Sequence, residues 1–138
     1  MKILALDIGD SWTGIAISDP LQMLARPYKT VASKDLKDTL TTILSAEPII
    51  TVVVGYPKTL RGTESEQTLK IKNTALKLEA MFSSVTWKLW DERLTSKQAA
   101  RIQKSKTKED KLQSHAIAAA LILGSYLDHL NFQKNLLE

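Results

Sequence analysis

Two acidic positions in this sequence stand at the ends of apolar segments, and together they suggest metal-ion chemistry. Asp7 is the one polar residue between Ile3 and Ile8. Asp91 and Glu92 directly follow a segment in which apolar and polar residues alternate. A carboxylate inside a covered strand is costly unless it has a partner or a metal. Acids that meet at strand ends can hold divalent cations, which prefer oxygen ligands and activate water for phosphodiester cleavage.

Each acidic position also has a purely structural explanation. Asp7 lies just before Gly9, so its carboxylate could simply cap a turn by accepting backbone N–H bonds. Asp91 and Glu92 could be a charged strand end beside the N-terminus of a helix. A functional site therefore requires a further ligand elsewhere in the chain.

Composition limits which classes of site and partner are possible. The 138 residues include no cysteine and two histidines, which excludes disulfides, thiolate metal sites and a cysteine nucleophile. No basic and apolar leader opens the chain, and no apolar run approaches the ~20 residues that span a bilayer, so we expect a cytoplasmic protein without a membrane partner. The net charge of +4 favours a polyanionic partner.

The elements that position these acids follow from hydrophobic periodicity. The segment 2–17 is typical of a central strand, a glycine turn at Gly9 and a returning strand, and Asp19-Pro20 predicts the next turn. Arg26–Val31 is a candidate edge strand that tolerates its proline. Ser33 is a predicted N-cap of the helix that carries Leu36, Leu40, Ile43 and Leu44 on one face.

The second half of the chain alternates strands and helices. Ile49–Val54 is a second buried strand, parallel to the first, and Val85–Leu89 is a third that runs into Asp91 and Glu92. A helix with Ile71, Ala75, Leu78 and Phe82 on one stripe separates them. The carboxyl ends of parallel strands are where ligands of such sheets bind, so Asp7 and the acidic pair should meet.

Three further segments complete the prediction. A capping box at Thr95 predicts a helix through Gln103, and 104–111 is interpreted as a solvated connection. The eight apolar residues Ala116–Leu123 predict a largely buried last helix, while the tail from about Leu130 has no clear assignment. The expected fold is α/β, a mixed five-stranded sheet of three antiparallel and two parallel strands flanked by helices, in one domain over 1–138.

Four motifs together resemble the YqgF/RuvX family, which is ribonuclease H-like and described as pre-16S rRNA nucleases and as Holliday junction resolvase-like. They are LALDIGDSWTGIAISDP at 4–20, VVVGYPKTLRGTESEQ at 52–67, WDERLTSKQA at 90–99 and HAIAAALILGSYL at 115–127. The resemblance implies metal-bound acids at Asp7 and in the DERLT motif, with a third ligand at the start of the last helix. Glu92 is preferred over Asp91 as the second acid, because Asp91 would continue the inward-facing side of its strand.

The sequence departs from the family pattern at the third ligand. His115 stands where the family usually has aspartate. Imidazole is a poor Mg²⁺ ligand but is acceptable to Mn²⁺, so the cofactor is expected to be Mg²⁺ or Mn²⁺. His115 is thus a metal ligand, a proton carrier near the leaving oxygen, a mark of a weakened site, or an ordinary helix residue. Arg61 stands where an acid often occurs and adds positive charge, and Trp12 occupies a turn position that is commonly basic.

Basic residues following the DERLT motif predict a nucleic-acid-binding surface. Phosphate contacts of this kind give salt-dependent affinity without reading a sequence, although a solvated helix face would look the same. The candidates are Arg93, Lys97, Arg101 and Lys104, together with Arg61.

The expected function is that of a metal-dependent endonuclease that matures the 5′ end of precursor 16S rRNA in ribosome biogenesis. Asp7, Glu92 and His115 are the expected catalytic and metal-binding residues. The alternatives are a Holliday junction resolvase acting on branched DNA, a non-catalytic nucleic-acid-binding factor, and, more distantly, a small-molecule phosphotransferase. The expected partners are precursor rRNA or branched DNA and ribosomal particles, with the chain a monomer or a homodimer; a resolvase requires a two-fold dimer.

Overall fold

The computed structural model describes residues 1–57, 65–91 and 108–137. Five strands, one 3-10 turn and three helices lie in these ranges. In chain order they are β1 (Lys2–Ile8), β2 (Trp12–Ser18), β3 (Ala25–Ala32), a 3-10 turn (Ser33–Asp35), α1 (Leu36–Ala46), β4 (Ile49–Tyr56), α2 (Glu66–Met81), β5 (Thr86–Asp91) and α3 (Lys108–Leu137).

The strands form one mixed sheet in the order β3-β2-β1-β4-β5. β1 pairs antiparallel with β2, and β2 antiparallel with β3. On the other side β1 pairs parallel with β4, and β4 parallel with β5. The expected three antiparallel and two parallel strands are confirmed. β1 lies at the centre because its residues 3–8 include no polar residue but Asp7, and such a run is stable only where both faces of the strand are covered.

The two faces of the sheet bury separate hydrophobic clusters, and strand alternation divides the side chains between them. One cluster packs α1 and α2 against the sheet, and it includes Leu4, Leu6, Ile15, Val52, Val54, Leu40 and Ile71. The other packs α3 against the sheet, and it includes Ile3, Ala5, Ala16, Val53, Ala119 and Leu123. A residue of β1 with an odd number therefore faces α3.

Helix α3 is longer than the sequence pattern indicated. It begins at Lys108, so 108–111 are helical rather than part of a connection, and it continues through the tail to Leu137. The lysines, the glutamate and the aspartate of 108–111 suggested a solvated connection, but lysine and glutamate are good helix formers, and the buried turns that follow extend the helix backward. The predicted helix from Thr95 to Gln103 lies outside the described residues. Within the described ranges, no helix combines the length and apolar character needed to cross a bilayer.

The turn predicted at Asp19-Pro20 closes the β2–β3 connection, and the Asp19 carboxylate holds it. Its Oδ1 accepts backbone N–H bonds from Met23 and Leu24, each at 2.8 Å, and its Oδ2 accepts one from Leu21 at 3.2 Å. The bond from Leu24, with smaller contributions from Met23 and Leu21, lowers the pKa of Asp19 below its ordinary value of 3.8.

We expect Asp19 to contribute acid-sensitive stability. A carboxyl whose pKa is lower in the folded chain stabilises the fold above its unfolded pKa, and this contribution is lost as the pH falls through the folded pKa. The free energy of unfolding of the wild type should therefore fall more steeply below about pH 4 than that of Asp19→Ala. Urea unfolding across this range tests it, with Asp38→Ala on the exposed side of α1 as the control. Parallel pH profiles for wild type and Asp19→Ala would contradict this role.

Candidate active site

Asp7 is placed at the carboxyl end of β1 by the alternation of that strand. Ile3 and Ala5, two and four residues earlier, belong to the cluster packed against α3. Asp7 has the same parity, so its side chain lies on the α3 face of the sheet. It is partly buried and has an interaction partner within the structure. A carboxylate is thus held where the central strand ends, beneath the first half of α3.

Gly14 lets helix α3 approach this carboxylate. It pairs with Asp7 across β1 and β2. A Cβ built at Gly14 would lie 1.9 Å from the backbone oxygen of His115 and 2.8 Å from the nitrogen of Ala116. No other residue type leaves room for this approach, since a real Cβ is essentially never within 3.0 Å of such atoms. The helix backbone at His115 therefore rests on the strand next to Asp7.

The periodicity of α3 gives the direction of His115. It precedes Tyr126 by eleven residues, or about three turns, and lies on one stripe with Ala119 and Ile122. Tyr126 packs edge-on against Trp90 of β5, with 5.3 Å between ring centroids. His115 therefore lies on the side of the helix that faces β1 and β5. Of the predicted site residues, Asp7 and His115 thus both neighbour Gly14, Asp7 by strand pairing and His115 through its backbone.

Trp90 connects strand β5 to the same helix. Its Nε1 donates a hydrogen bond of 3.2 Å to Ser125 Oγ, and its ring also lies 5.2 Å from that of His129. Burial in this cluster raises the pKa of the Tyr126 hydroxyl, which stays neutral at physiological pH. These contacts fix the end of β5 against α3, close to the start of the DERLT motif.

The strand register separates Asp91 from Asp7. Asp91 pairs with Tyr56 of β4, and Tyr56 packs against the cluster on the α1 and α2 side. Trp90, one residue earlier, belongs to the cluster on the α3 side. Asp91 therefore faces away from the carboxylate of Asp7. Glu92, the preferred second acid, lies outside the described residues.

The β1–β2 turn is fixed by a contact that sequence reasoning missed. Ser33 was predicted to cap α1, but the structure shows no side-chain cap there, and Asp35 is the N-cap residue. The Ser33 hydroxyl instead donates to the backbone oxygen of Gly9 at 2.6 Å and lies 2.9 Å from Thr13 Oγ1. Capping residues and turn-binding residues have the same chemistry, so only the packed chain distinguishes them.

The other predicted positions lie outside the described part of the chain. They are Arg61, Arg93, Lys97, Arg101 and Lys104. Across 1–57, 65–91 and 113–137, no three acidic or histidine residues form a group that could hold a metal ion. Among the described residues, the candidate site thus comprises Asp7, His115 and Gly14, which contacts the His115 backbone and pairs with Asp7.

Comparison with known families identifies the family of this chain. The RuvX family, described as "Holliday junction resolvase", matches residues 1–129. The chain belongs to the RuvX family. Both the family and the ribonuclease H-like fold expected from the four sequence motifs are confirmed, and the expected nuclease class agrees with the family description.

Similar sequences agree with membership in the RuvX family, and a solved structure shares the fold. The chain is 35% identical over 128 residues to a "Putative pre-16S rRNA nuclease" of Rubrobacter xylanophilus, covering 92% of each chain. It is 37% identical over 134 residues to a protein of the same name from Porphyromonas gingivalis, covering 93% of this chain and 96% of that one. Thermus thermophilus RuvC in complex with a Holliday junction substrate matches with a TM-score of 0.57 at 15% identity, over 94% of this chain and 96% of RuvC. The last likeness shows the fold alone.

Proposed function

We propose that this RuvX-family chain is a metal-dependent endonuclease that cleaves precursor 16S rRNA at its 5′ end. The observation that supports the proposal is the close approach of α3 at Gly14, where the backbone of His115 lies against the residue that pairs with Asp7. The names of the relatives from Rubrobacter and Porphyromonas support this substrate. The net charge of +4 also fits a polyanionic partner.

The donor chemistry of the described residues fits a divalent cation. Asp7 offers hard carboxylate oxygens, and His115 offers an imidazole nitrogen, a set that suits Mn²⁺ better than Mg²⁺. Because Gly14 has no side chain, the α3 backbone at His115 packs directly against the strand that pairs with Asp7. We assign Glu92 as the third ligand. A bound cation would supply Lewis-acid stabilisation of the phosphoryl oxygens and lower the pKa of the attacking water.

Other roles in the reaction are to position the substrate and to move protons. Asp7 fixes the site to the rigid centre of the sheet, so the reacting phosphate is held with little motion. His115, when it does not bind the cation, holds a proton that the leaving oxygen can accept. The phosphate backbone is positioned by basic side chains. We assign this role to Arg93, Lys97, Arg101, Lys104 and Arg61.

The experiment that tests the proposal compares two labelled substrates. Wild-type protein is incubated with precursor 16S RNA and with a four-way DNA junction, each in Mg²⁺, in Mn²⁺ and in EDTA. Cleavage of the RNA that needs a cation and stops in EDTA supports the proposal. Salt-sensitive binding without cleavage of either substrate would replace it with a non-catalytic nucleic-acid-binding role.

Resolution of Holliday junctions is the second candidate, favoured by the description of the family. Paired symmetrical cuts require two sites related by a two-fold axis. Junction cleavage by a dimer, with the precursor RNA left intact, would establish this function. Light scattering of the protein with and without the junction gives the oligomeric state.

The identity of residue 115 should set the metal preference. We expect wild-type cleavage to be faster in Mn²⁺ than in Mg²⁺, and His115→Asp to raise the ratio of Mg²⁺-supported to Mn²⁺-supported rates roughly tenfold, because a carboxylate suits Mg²⁺ better than imidazole does. The other histidine, His129, provides the control, since His129→Ala should leave this ratio unchanged. An unchanged ratio of rates in His115→Asp would show that His115 is not a metal ligand.

A further inference from the structure

A cavity of about 390 Å³ opens between the edge strand β3 and the first half of α3. Its β3 wall consists of Pro27, Tyr28, Lys29 and Thr30, and its helix wall of Gln113, Ala116 and Ile117. The volume is within the range of small-ligand sites. The cavity is separate from the positions assigned to metal binding.

The register of the sheet places this cavity in line with Asp7. Gly14 pairs with Asp7 on one side and with Thr30 on the other. Thr30 is therefore two strands from Asp7, or roughly 10 Å, at the same level of the sheet. On the helix wall, Gln113 and Ala116 flank His115 in sequence. A nucleic-acid strand with a phosphate at Asp7 can thus reach the cavity within a few nucleotides.

The lining has the chemistry of a nucleotide site. Tyr28 keeps 38% of its surface exposed, an aromatic surface on which a base can stack. Lys29 Nζ lies over one face of that ring, 5.6 Å from its centroid, which leaves the other face for a base. Ala116 and Ile117 supply an apolar wall, and Gln113 supplies an amide. The segment 20–34 contains Arg26, Lys29 and Lys34 and no acidic residue, so its charge favours phosphates.

We propose that this cavity binds an unpaired nucleotide of the substrate strand, next to the phosphate that is cut. Tyr28 stacks on its base, and Lys29 contacts an adjacent phosphate. The position relative to the cut rests on the proposed nuclease function, whereas binding itself does not. The cavity would select substrates whose strand is single or locally opened beside the site, because a paired base is not free to enter.

Binding in EDTA tests this site without cleavage. Fluorescence anisotropy is measured with short single-stranded RNA and DNA, and with versions that carry an abasic position. We expect Tyr28→Ala to weaken binding by about 5- to 100-fold, the value of one lost stacking contact. Tyr28→Phe keeps the ring and should bind as the wild type does. Lys29→Ala should reduce the slope of log affinity against log salt concentration by about one, the value expected for the loss of one phosphate contact. Phe132→Ala, an exposed aromatic at the far end of α3, is the matched control.

The abasic strands identify the stacked base. An abasic strand should bind the wild type as weakly as an intact strand binds Tyr28→Ala. The Tyr28→Ala variant should bind abasic and intact strands with the same affinity. Wild-type affinity in Tyr28→Ala, an equal loss in Phe132→Ala, or the absence of wild-type binding would each overturn the nucleotide site. If the Tyr28 pattern holds but no RNA or DNA is cut with cation present, the nuclease proposal fails and the site stands. If RNA or DNA is cut with cation present but Tyr28→Ala binds as the wild type does, the nucleotide site fails and the nuclease proposal stands.

Discussion

Asp7→Asn is expected to lower the cleavage rate by at least about 1,000-fold while leaving affinity for the substrate within a few-fold of wild type. Asparagine keeps the size of the side chain but removes the charge that holds a cation. Lewis-acid stabilisation of a phosphoryl transition state is worth several kcal/mol, and each ~1.4 kcal/mol is a factor of ten in rate. The measurement is single-turnover cleavage of labelled precursor RNA, with binding measured separately in EDTA.

A matched variant separates loss of chemistry from loss of structure. Asp38→Asn makes the same substitution on the exposed side of α1, and it should cleave at the wild-type rate. Thermal melting of both variants shows whether the chain remains folded, which matters because Asp7 has an interaction partner in the native structure. A folded Asp7→Asn protein that cuts as fast as wild type would show that the reaction centre does not lie at the end of β1. A folded one that binds but does not cut would rule out a purely non-catalytic role for the chain.

The sequence was most informative where burial is complete. β1 and β4 were predicted because an uninterrupted apolar run in a short segment is stable only between two covered faces. The ends of α3 were not, because the first turn is charged in sequence and the residues of the last turns are mostly exposed. There the buried middle of the helix, rather than local pattern, determines how far it extends. Exposed residues such as Phe132 and Leu136 therefore gave no helical stripe to recognise.

The same distinction applies to the site. Asp7 is conspicuous because a carboxylate contradicts its apolar surroundings, and His115 because it departs from the family pattern. The role of Gly14 had no comparable signal, because a glycine after a turn is ordinary, and the contact that requires it comes from a helix about one hundred residues later. Ser33 was assigned to the wrong partner for the same reason. Residue types indicated candidate ligands, while the packing that holds them together depended on contacts distant in sequence.

Gly14→Ala should be the most damaging small substitution outside the carboxylates. Its Cβ would lie 1.9 Å from the backbone oxygen of His115, and ordinary contact begins at 3.4 Å, so the helix must shift by roughly 1.5 Å. Overpacking of this kind costs about 1–3 kcal/mol or more, which corresponds to a fall in melting temperature of roughly 5–10 °C. Because a 1 Å displacement of a catalytic group can cost about 100-fold in rate, cleavage at low temperature should fall about 10- to 100-fold.

Gly124, which lies on α3, allows the same glycine-to-alanine substitution without a steric clash. A Cβ there meets nothing within 4 Å, so Gly124→Ala should keep full activity and raise stability by up to about 1 kcal/mol through helix propensity. Thermal melting and cleavage of both variants then separate two roles of the close approach. If Gly14→Ala melts early but cleaves normally when folded, the glycine serves only packing, and His115 is not needed beside Asp7. If stability and cleavage fall together while Gly124→Ala is intact, the position of α3 on β2 sets the geometry of the reaction.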